Sequence, residues 1–233
     1  MKLVLFDIDG TLLSTDGAGR RAIQRALLDE TGTAGPIEGY RLDGKTDPQI
    51  VHDLLTLAAH PAALDDERIA AVCHRYVEHL RAELAAPPRA TKLMAGVGEL
   101  LEALQRYEAE RRAMVGLLTG NLAAGAALKL RAAGLDPQRF RVGAYGSDSH
   151  RRSDLPAVAA ARAAALAGVP FEGADVVIVG DTPADVACGQ PIGARSLAVA
   201  TGSYDVVALR AAGAAVVFAT LADTTAVLDA IFA

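Results

Sequence analysis

Two aspartates, Asp7 and Asp9, follow the first apolar run of the chain. That run, Leu3–Phe6, predicts a buried strand, and charged groups at its end are costly to desolvate unless they bind a metal or do chemistry. Residues two apart on a strand point to the same face, so both carboxylates can face one reacting centre. The alternative is a turn at Asp9-Gly10 that merely ends the strand.

A hydroxyl, a glycine and an amide follow another apolar run, in the sequence Thr119-Gly120-Asn121. A turn of this kind, where a strand leads into a helix, offers backbone N–H groups and a helix N-terminus to an anion. Ordinary N-capping of the helix by Thr119 or Asn121 explains the same residues at least as well.

Two further acids, Asp181 and Asp185, flank a proline-started helix after the most strand-like run, Val176–Val179. Helix capping explains one of these acids and leaves the other unexplained. Ligation by carboxylate oxygens alone suits a hard cation such as Mg²⁺. A basic cluster that contains Arg151 and Arg152 precedes another predicted helix, and taken alone it is typical of solvated surface.

Strands and helices alternate from residue 93 to the end of the chain. The predicted strands cover 114–118, 140–143, 176–179, 196–200 and 214–218, and the predicted helices cover 97–107, 122–133, 155–167, 183–188, 206–212 and 221–231. The run at 176–179 is continuously apolar and β-branched, which is typical of a central parallel strand. We therefore predict an α/β fold, with a Rossmann-like parallel sheet and helices on both faces.

Residues 15–92 show helical periodicity and no convincing strand. Helices are predicted at 20–31, from Thr46-Asp47-Pro48 onwards, and from Asp65 to about Leu84, where Ala85-Ala86-Pro87-Pro88 predicts a break. The first strand therefore stands apart from the others. We predict a discontinuous α/β core, residues 1–14 plus 93–233, which is interrupted by an all-helical cap domain at residues 15–92.

The composition argues against several classes of protein. A net charge of −5 gives no reason to expect broad binding to nucleic acid, and the apolar runs are too short or too interrupted to span a bilayer. Cys73 and Cys188 form neither a metal pattern nor a disulfide framework, and no signal-peptide pattern precedes the first strand. We expect a soluble cytoplasmic protein, a monomer or a dimer, that binds neither nucleic acid nor membranes.

The predicted sheet places Asp7, Asp9, Thr119, Asp181 and Asp185 at the carboxyl ends of strands on one edge. Together they offer a nucleophile, an acid and base, phosphate-binding groups and metal ligands. Phosphoryl transfer requires such a set, because the phosphoryl group must be held in line while its charge is neutralised.

These motifs resemble those of the haloacid dehalogenase superfamily over essentially the whole chain. The first motif is matched by Asp7-Ile8-Asp9-Gly10-Thr11-Leu12, the second by Thr119-Gly120-Asn121, and the fourth by Gly180-Asp181-Thr182-Pro183-Ala184-Asp185. The third motif is usually a lysine followed by proline. Here Arg152-Ser153 fills its position, and Arg151 is the alternative.

The resemblance implies a role for each motif. Asp7 is the nucleophile that forms an aspartyl-phosphate, and Asp9 acts first as general acid and then as base. Mg²⁺ is held by Asp7, the backbone carbonyl of Asp9 and Asp181, with Asp185 as a further or outer partner. The phosphoryl group is bound by Thr119 and the neighbouring amides of Gly120 and Asn121, and it is neutralised by Arg152.

The helical insertion is similar to the caps of phosphoglycolate phosphatase-like and β-phosphoglucomutase-like members. Its segment Asp43-Gly44-Lys45-Thr46-Asp47 resembles a loop that reaches over the core site, so Lys45 is a candidate contact to the substrate or its phosphate. An exposed lysine in a turn explains this residue equally well. Arg20 and Arg21 either lie on the helix surface or approach the site.

The resemblance favours a Mg²⁺-dependent phosphatase that hydrolyses a small phosphorylated metabolite. The dehalogenase branch is disfavoured, because only a phosphoester needs the acid at Asp9 for its leaving group. A phosphomutase of the β-phosphoglucomutase type would use the same residues. A catalytically silent protein that binds a phosphorylated ligand fits poorly, since the nucleophile, the acid and the metal ligands are all intact.

Overall fold

The computed structural model describes residues 1–86 and 91–233. The strands are β1 (Lys2–Phe6), β2 (Leu13–Ser14), β3 (Lys92–Leu93), β4 (Ala113–Leu118), β5 (Val142–Ala144), β6 (Val176–Gly180), β7 (Arg195–Val199) and β8 (Val216–Phe218). Within the described ranges, six of them form one parallel sheet in the order β5-β4-β1-β6-β7-β8. The remaining two, β2 and β3, pair as a short antiparallel ribbon.

The helices surround this sheet and form a separate group beside it. They are α1 (Ala18–Thr31), α2 (Asp47–Leu57), α3 (Asp66–Ala85), α4 (Val97–Ala109), α5 (Ala123–Ala132), α6 (Leu155–Ala167), α7 (Pro183–Cys188), α8 (Val206–Ala211) and α9 (Thr224–Phe232). Both faces of the sheet are covered. Helices α4, α5 and α9 pack on the face that contains Val4 and Phe6, whereas α6 and α7 pack on the face that contains Leu3 and Leu5.

The strand order creates a crevice at the carboxyl end of β1. The chain builds the sheet outwards from β1 in one direction through β4 and β5, and then in the other direction through β6, β7 and β8. Loops that leave neighbouring strands in opposite directions open a crevice at this switch point, where ligands bind in open α/β sheets. The fold therefore puts the segments after β1, β4 and β6 beside one another.

Helices α1, α2 and α3 bury their apolar faces against one another and not against the sheet. Residues such as Ile23, Leu54, Val72 and Leu80 form their own buried cluster. The two predicted boundaries of the cap meet in space, because β2 and β3 pair there. The division into core and cap stays a prediction, and Pro87 and Pro88 of the predicted break lie outside the described residues.

The predicted α/β fold is confirmed, with differences at the ends of elements. The ribbon strand β3 was not predicted, because two paired residues leave no periodicity in a sequence. The weak strand expected at 140–143 lies at 142–144, after a single 3₁₀ turn at Pro137–Arg139. The last helix begins at Thr224, where the side chain of Asp223 accepts a hydrogen bond from the N–H of Ala226 and caps it.

No helix within the described ranges combines the length and apolar character that a membrane span requires.

Candidate active site

Three buried carboxylates meet at the carboxyl ends of β1 and β6. Asp7, Asp181 and Asp185 each place a carboxylate oxygen within 4.8 Å of the others. Asp7 directly follows β1, and its N–H donates to the carbonyl of Val179 on the neighbouring strand at 2.9 Å. Parallel pairing of β1 with β6 therefore brings together two motifs that are more than 170 residues apart in sequence.

Arg152 neutralises part of this acidic cluster. Its guanidinium is buried, forms an ion pair with Asp185, and lies 3.3 Å from the Oδ1 atom of Asp7. Both carboxylates raise the pKa of Arg152, although burial opposes them, so the residue remains a cation. The alternative for the third motif, Arg151, is exposed. The structure thus places Arg152, and not Arg151, beside Asp7.

Asp185 already has protein partners for both of its oxygens. Oδ1 pairs with Arg152, and Oδ2 accepts hydrogen bonds from the N–H and the hydroxyl of Thr182, at 3.0 and 2.7 Å. The Thr182 hydroxyl in turn accepts from the N–H of Asp185, which completes a capping box at the start of α7. These bonds fix the position of Asp185 and leave Asp7 and Asp181 as the carboxylates with more unused acceptor capacity.

Asp181 lies in a pocket that admits no extra atoms. Its Oδ1 accepts a hydrogen bond from the hydroxyl of Thr11 at 2.9 Å. A Cβ atom at Gly10 or at Gly202 would overlap its carboxylate, and Gly10 also has φ +81°. The close approach of these two glycines explains why the first motif continues with glycine after Asp9.

The pKa values of Asp7 and Asp181 are both raised, which is typical of carboxylates that have too little positive charge nearby. Burial, together with the negative charges of Asp185 and Asp7, raises the pKa of Asp181 to about 8. Burial also raises the pKa of Asp7 to about 6, although Arg152 opposes the shift. Three carboxylates share one guanidinium here, and their all-oxygen donor set suits a hard divalent cation such as Mg²⁺.

Asp9 follows Asp7 by two residues, and two side chains hold its carboxylate. Its Oδ2 accepts hydrogen bonds from Asn121 Nδ2 at 2.8 Å and from Lys129 Nζ at 2.6 Å. The Asp9 side chain is 44% exposed, whereas that of Lys129 is 4% exposed. The Oδ2 atom of Asp9 is thus held by two hydrogen bonds, while the rest of the carboxylate remains accessible from the crevice.

The predicted anion-binding turn, Thr119-Gly120-Asn121, also lines the crevice. Thr119 follows β4, and its buried hydroxyl accepts from the backbone N–H and the side-chain amide of Asn121, at 3.3 and 2.8 Å. The side chain of Asn121 thus connects Thr119 to Asp9. Leu122, the N-cap residue of α5, has no side-chain cap of its own.

Lys129 was not among the residues singled out from the sequence. Its ammonium donates to Asn121 Oδ1 at 2.6 Å as well as to Asp9, so it completes a three-residue network. A signal was present, because Lys129 occupies the buried stripe of α5 together with Gly125, Ala126 and Leu130. A lysine within an apolar stripe requires a buried partner.

The cap segment closes over this turn. The N–H of Asp47 donates to the carbonyl of Gly120 at 2.8 Å, and the Asp47 carboxylate accepts from the N–H of Leu122 at 2.8 Å. The Thr46 hydroxyl donates to the carbonyl of His150 at 2.8 Å. Asp47 therefore helps to cap α5, together with Ser147, whose hydroxyl accepts from the N–H of Ala123 at 2.8 Å, and burial raises the pKa of Asp47 to about 6.

The other cap residues singled out from the sequence, Lys45, Arg20 and Arg21, all have protein partners. The Lys45 ammonium donates to Asp53 Oδ2 at 2.9 Å and also to the hydroxyl of Tyr40. Arg20 lines the crevice, whereas Arg21 pairs with Glu83 at 2.6 Å. The contact of Lys45 with a substrate remains a prediction.

A cavity of about 400 Å³ lies between the sheet edge and the cap. Asp7, Asp9, Thr119, Arg152 and Asp181 line its core side. Its size suits a small organic molecule. The arrangement offers a carboxylate beside an arginine, a cation-binding set, and a second carboxylate that is free to exchange a proton.

Known structures share this fold at low sequence identity. A hydrolase from Pseudomonas syringae has a TM-score of 0.76 and 21% identity, with 100% of both chains covered. CbbY from Rhodobacter sphaeroides, in complex with phosphate, has a TM-score of 0.74 and 22% identity over 96% of each chain. A predicted phosphoglycolate phosphatase from Haemophilus somnus has a TM-score of 0.70 and 18% identity over 98% of each chain.

Sequence comparison identifies the family directly. No curated protein matches the chain. The family model for haloacid dehalogenase-like hydrolases matches residues 1–193, which contain all the motifs described above. The chain therefore belongs to the haloacid dehalogenase-like hydrolase family.

Proposed function

We propose that this protein is a Mg²⁺-dependent phosphatase that hydrolyses a small phosphorylated metabolite through an aspartyl-phosphate on Asp7. The observation that carries the proposal is the position of Asp7, whose buried carboxylate lies beside Arg152 and two further carboxylates and lines the cavity. Membership of a hydrolase family supports the hydrolytic reaction. The complex of CbbY with phosphate supports the binding of a phosphate anion by a protein of this fold.

In the first step, a carboxylate oxygen of Asp7 attacks the phosphorus atom, and the bond between phosphorus and the leaving-group oxygen breaks. Asp9 donates its proton to that oxygen. Arg152, the hydroxyl of Thr119 and the amides of Gly120 and Asn121 hold the phosphoryl oxygens and offset their charge. Lys129 and Asn121 keep Asp9 oriented through its Oδ2 atom.

In the second step, water attacks the phosphorus atom of the aspartyl-phosphate, and Asp9 accepts the proton that this water loses. The bond between phosphorus and Asp7 breaks, inorganic phosphate leaves, and the Asp7 carboxylate is restored. Asp7, the backbone carbonyl of Asp9 and Asp181 would hold Mg²⁺, with Asp185 beside them. When bound, the ion offsets the negative charge of the acids and of the phosphoryl group.

The test is phosphate release from an aryl phosphate and from a panel of phosphorylated metabolites, with Mg²⁺ and with a chelator. Wild-type protein should release phosphate only with Mg²⁺, and Asp7→Asn should lower kcat by about 10³-fold or more, because the covalent route is lost. After an acid quench, labelled substrate should leave phosphate on wild-type protein and none on Asp7→Asn.

Two results would overturn the proposal. Folded Asp7→Asn protein with near-normal turnover would show that Asp7 is not the nucleophile. Binding of phosphorylated ligands without any turnover, with Mg²⁺ present, would indicate a binding protein instead.

A further inference from the structure

The cap side of the cavity determines which leaving groups the site accepts. We propose that this site selects phosphate monoesters whose leaving group carries no second anionic group. The inference rests on the proposed phosphatase function and narrows its substrate class. It follows from the pairing of the cations and acids that line the cavity.

Lys45 is the first of these cations. Its ammonium is bound by Asp53 Oδ2 at 2.9 Å and by the hydroxyl of Tyr40. The Asp53 carboxylate and the Lys45 side chain are both partly buried, at 27% and 30% exposed, so water screens the pair only in part. An anionic leaving group would have to compete with Asp53 for this ammonium.

Arg20 is the second cation. Its guanidinium donates to the backbone carbonyls of Ile37 and Tyr40, at 2.5 and 2.9 Å. Both carbonyls belong to the chain between α1 and α2. The guanidinium fork, which could bind a carboxylate or phosphate through two parallel bonds, is therefore used to hold the cap together.

Lys129 is the third cation, and it is committed to Asp9 and Asn121. Arg152 belongs to the phosphoryl end of the cavity, beside Asp7. Among the residues that the structure describes, every lysine and arginine that lines the cavity thus has a protein partner. No described lysine or arginine that lines the cap side of the cavity is left without a hydrogen-bond partner to receive a second anion.

The acids of the cap strengthen this discrimination. Asp43 and Asp47 both line the cavity. Burial raises the pKa of Asp47 to about 6, which leaves the group ionised at neutral pH. A carboxylate or a second phosphate on the leaving group would be repelled by the negative charges of Asp43 and Asp47. A neutral leaving group is not repelled, and its apolar parts can pack against Ile23, Leu42 and Ile50, which also line the cavity.

This charge pattern also separates hydrolysis from isomerisation. A phosphomutase must transfer the phosphoryl group from the aspartate to a substrate that is already phosphorylated, and the product of that step is a bisphosphate. The second phosphate would then occupy the cap side of the cavity, opposite Asp43 and Asp47. The pairing of the cations therefore favours the phosphatase over the phosphomutase.

The experiment compares esters that differ in one charge. 4-(Hydroxymethyl)phenyl phosphate and 4-carboxyphenyl phosphate form one pair, and glycerol 3-phosphate and 3-phosphoglycerate form another. We expect kcat/KM to be about tenfold or more higher for the neutral member of each hydrolysed pair. Equal or higher kcat/KM for the carboxylates would overturn the inference and leave the phosphatase proposal intact. A complete lack of hydrolysis would overturn both.

A variant tests the cause of the selection. Asp53→Asn removes the charge that pairs with Lys45, so the ratio of kcat/KM between neutral and carboxylate aryl esters should fall by about threefold to tenfold. The neutral ester itself should react as in the wild type. Asp29→Asn is the matched control, because Asp29 is an exposed cap acid that pairs with His79. An unchanged ratio in folded Asp53→Asn would overturn the assignment.

Discussion

Lys129 holds the Asp9 carboxylate in one orientation. Its ammonium is 4% exposed and lies 2.6 Å from both the Asp9 carboxylate and the Asn121 amide oxygen. Burial of a lysine is unfavourable unless partners compensate its charge. The network explains both why the lysine is tolerated inside the fold and why Asp9 keeps one orientation while it remains open to the cavity.

Lys129→Met should lower kcat for an aryl phosphate by about 10- to 100-fold, a part of the factor that an oriented general acid and base contributes. KM should change less, because the ammonium is bound by Asp9 and Asn121. Steady-state kinetics on the folded variant, together with urea unfolding, measure the two effects separately.

Lys92→Met is the control for Lys129→Met, since Lys92 is an exposed lysine in β3. It should leave kcat unchanged. If folded Lys129→Met had the same kcat as Lys92→Met, the orientation of Asp9 by Lys129 would not contribute to catalysis.

Site residues that are recognisable from their local sequence were predicted, whereas those whose role depends on a contact with another element were not. Asp7 and Asp181 are recognisable because an acid at the end of an apolar run has no role in a core. Lys129 and the contact of Asp47 with α5 are different. Each needs a partner from another element, and a single sequence does not show which elements meet.

The loop before α2 holds the cap against the core. Thr46 and Asp47 bond to the loops after β5 and β4, and Arg41 lies over the ring of Tyr204 at 5.3 Å. A Cβ at Gly120 would overlap the carbonyl oxygen of Lys45. Glycine is therefore required at this position for the cap to reach the observed closed position.

Gly120→Ala should keep the core folded and displace the cap. We expect kcat/KM to fall by about 100-fold, the usual result of a displacement of about 1 Å between groups that must be aligned. Proteolysis between the cap and the core should become faster, because the displaced cap exposes the connecting segments.

Gly98→Ala is the matched control for Gly120→Ala. A Cβ at Gly98 meets nothing within 4 Å, and the residue lies in α4. Alanine should stabilise this helix by up to about 1 kcal/mol without any effect on kcat/KM. Equal kcat/KM in the two variants would show that the contact with Lys45 does not limit turnover.

Element types were predictable because their signals are local. The continuously apolar runs became β4 and β6, and the helix predicted at 155–167 has those ends in the structure. The capping of α5 is different, since the N–H of Leu122 donates to Asp47 and the N–H of Ala123 donates to the hydroxyl of Ser147. The helix itself was predicted to start within one residue of its observed start, but a capping residue that lies far away in sequence is not identifiable from the sequence of the helix.

The protein as a whole folds around an acidic cluster that is short of positive charge. Asp7, Asp181 and Asp185 are buried together, and Arg152 is the cation that pairs with them among the described residues. Their repulsion and desolvation oppose folding when no cation is bound. The stability of the whole chain should therefore depend on pH and on Mg²⁺.

The sign of this dependence follows from Asp181. Its ordinary pKa of 3.8 is raised to about 8 by burial in the folded protein. Between these values the folded state binds more protons than the unfolded chain, so its contribution to the free energy of unfolding falls as the pH rises. The loss begins near the unfolded value and is complete above the folded one.

In a chelator, the wild-type Tm should therefore fall more between pH 5 and pH 8 than the Tm of Asp181→Asn, because asparagine has no charge to desolvate. At pH 8 the variant should be the more stable protein, by about 2–4 °C for each kcal/mol of relieved desolvation.

Added Mg²⁺ should raise the wild-type Tm, since an ion that binds only the folded state stabilises it, and it should raise the variant's Tm much less. Asp175→Asn makes the same change of net charge at an exposed position, where the carboxylate pairs with Lys2 at 3.5 Å, so its Tm should follow the wild type at each pH. Parallel Tm curves for wild type and Asp181→Asn, with equal responses to Mg²⁺, would show that the cluster is neither strained by its charge nor the place where the ion binds.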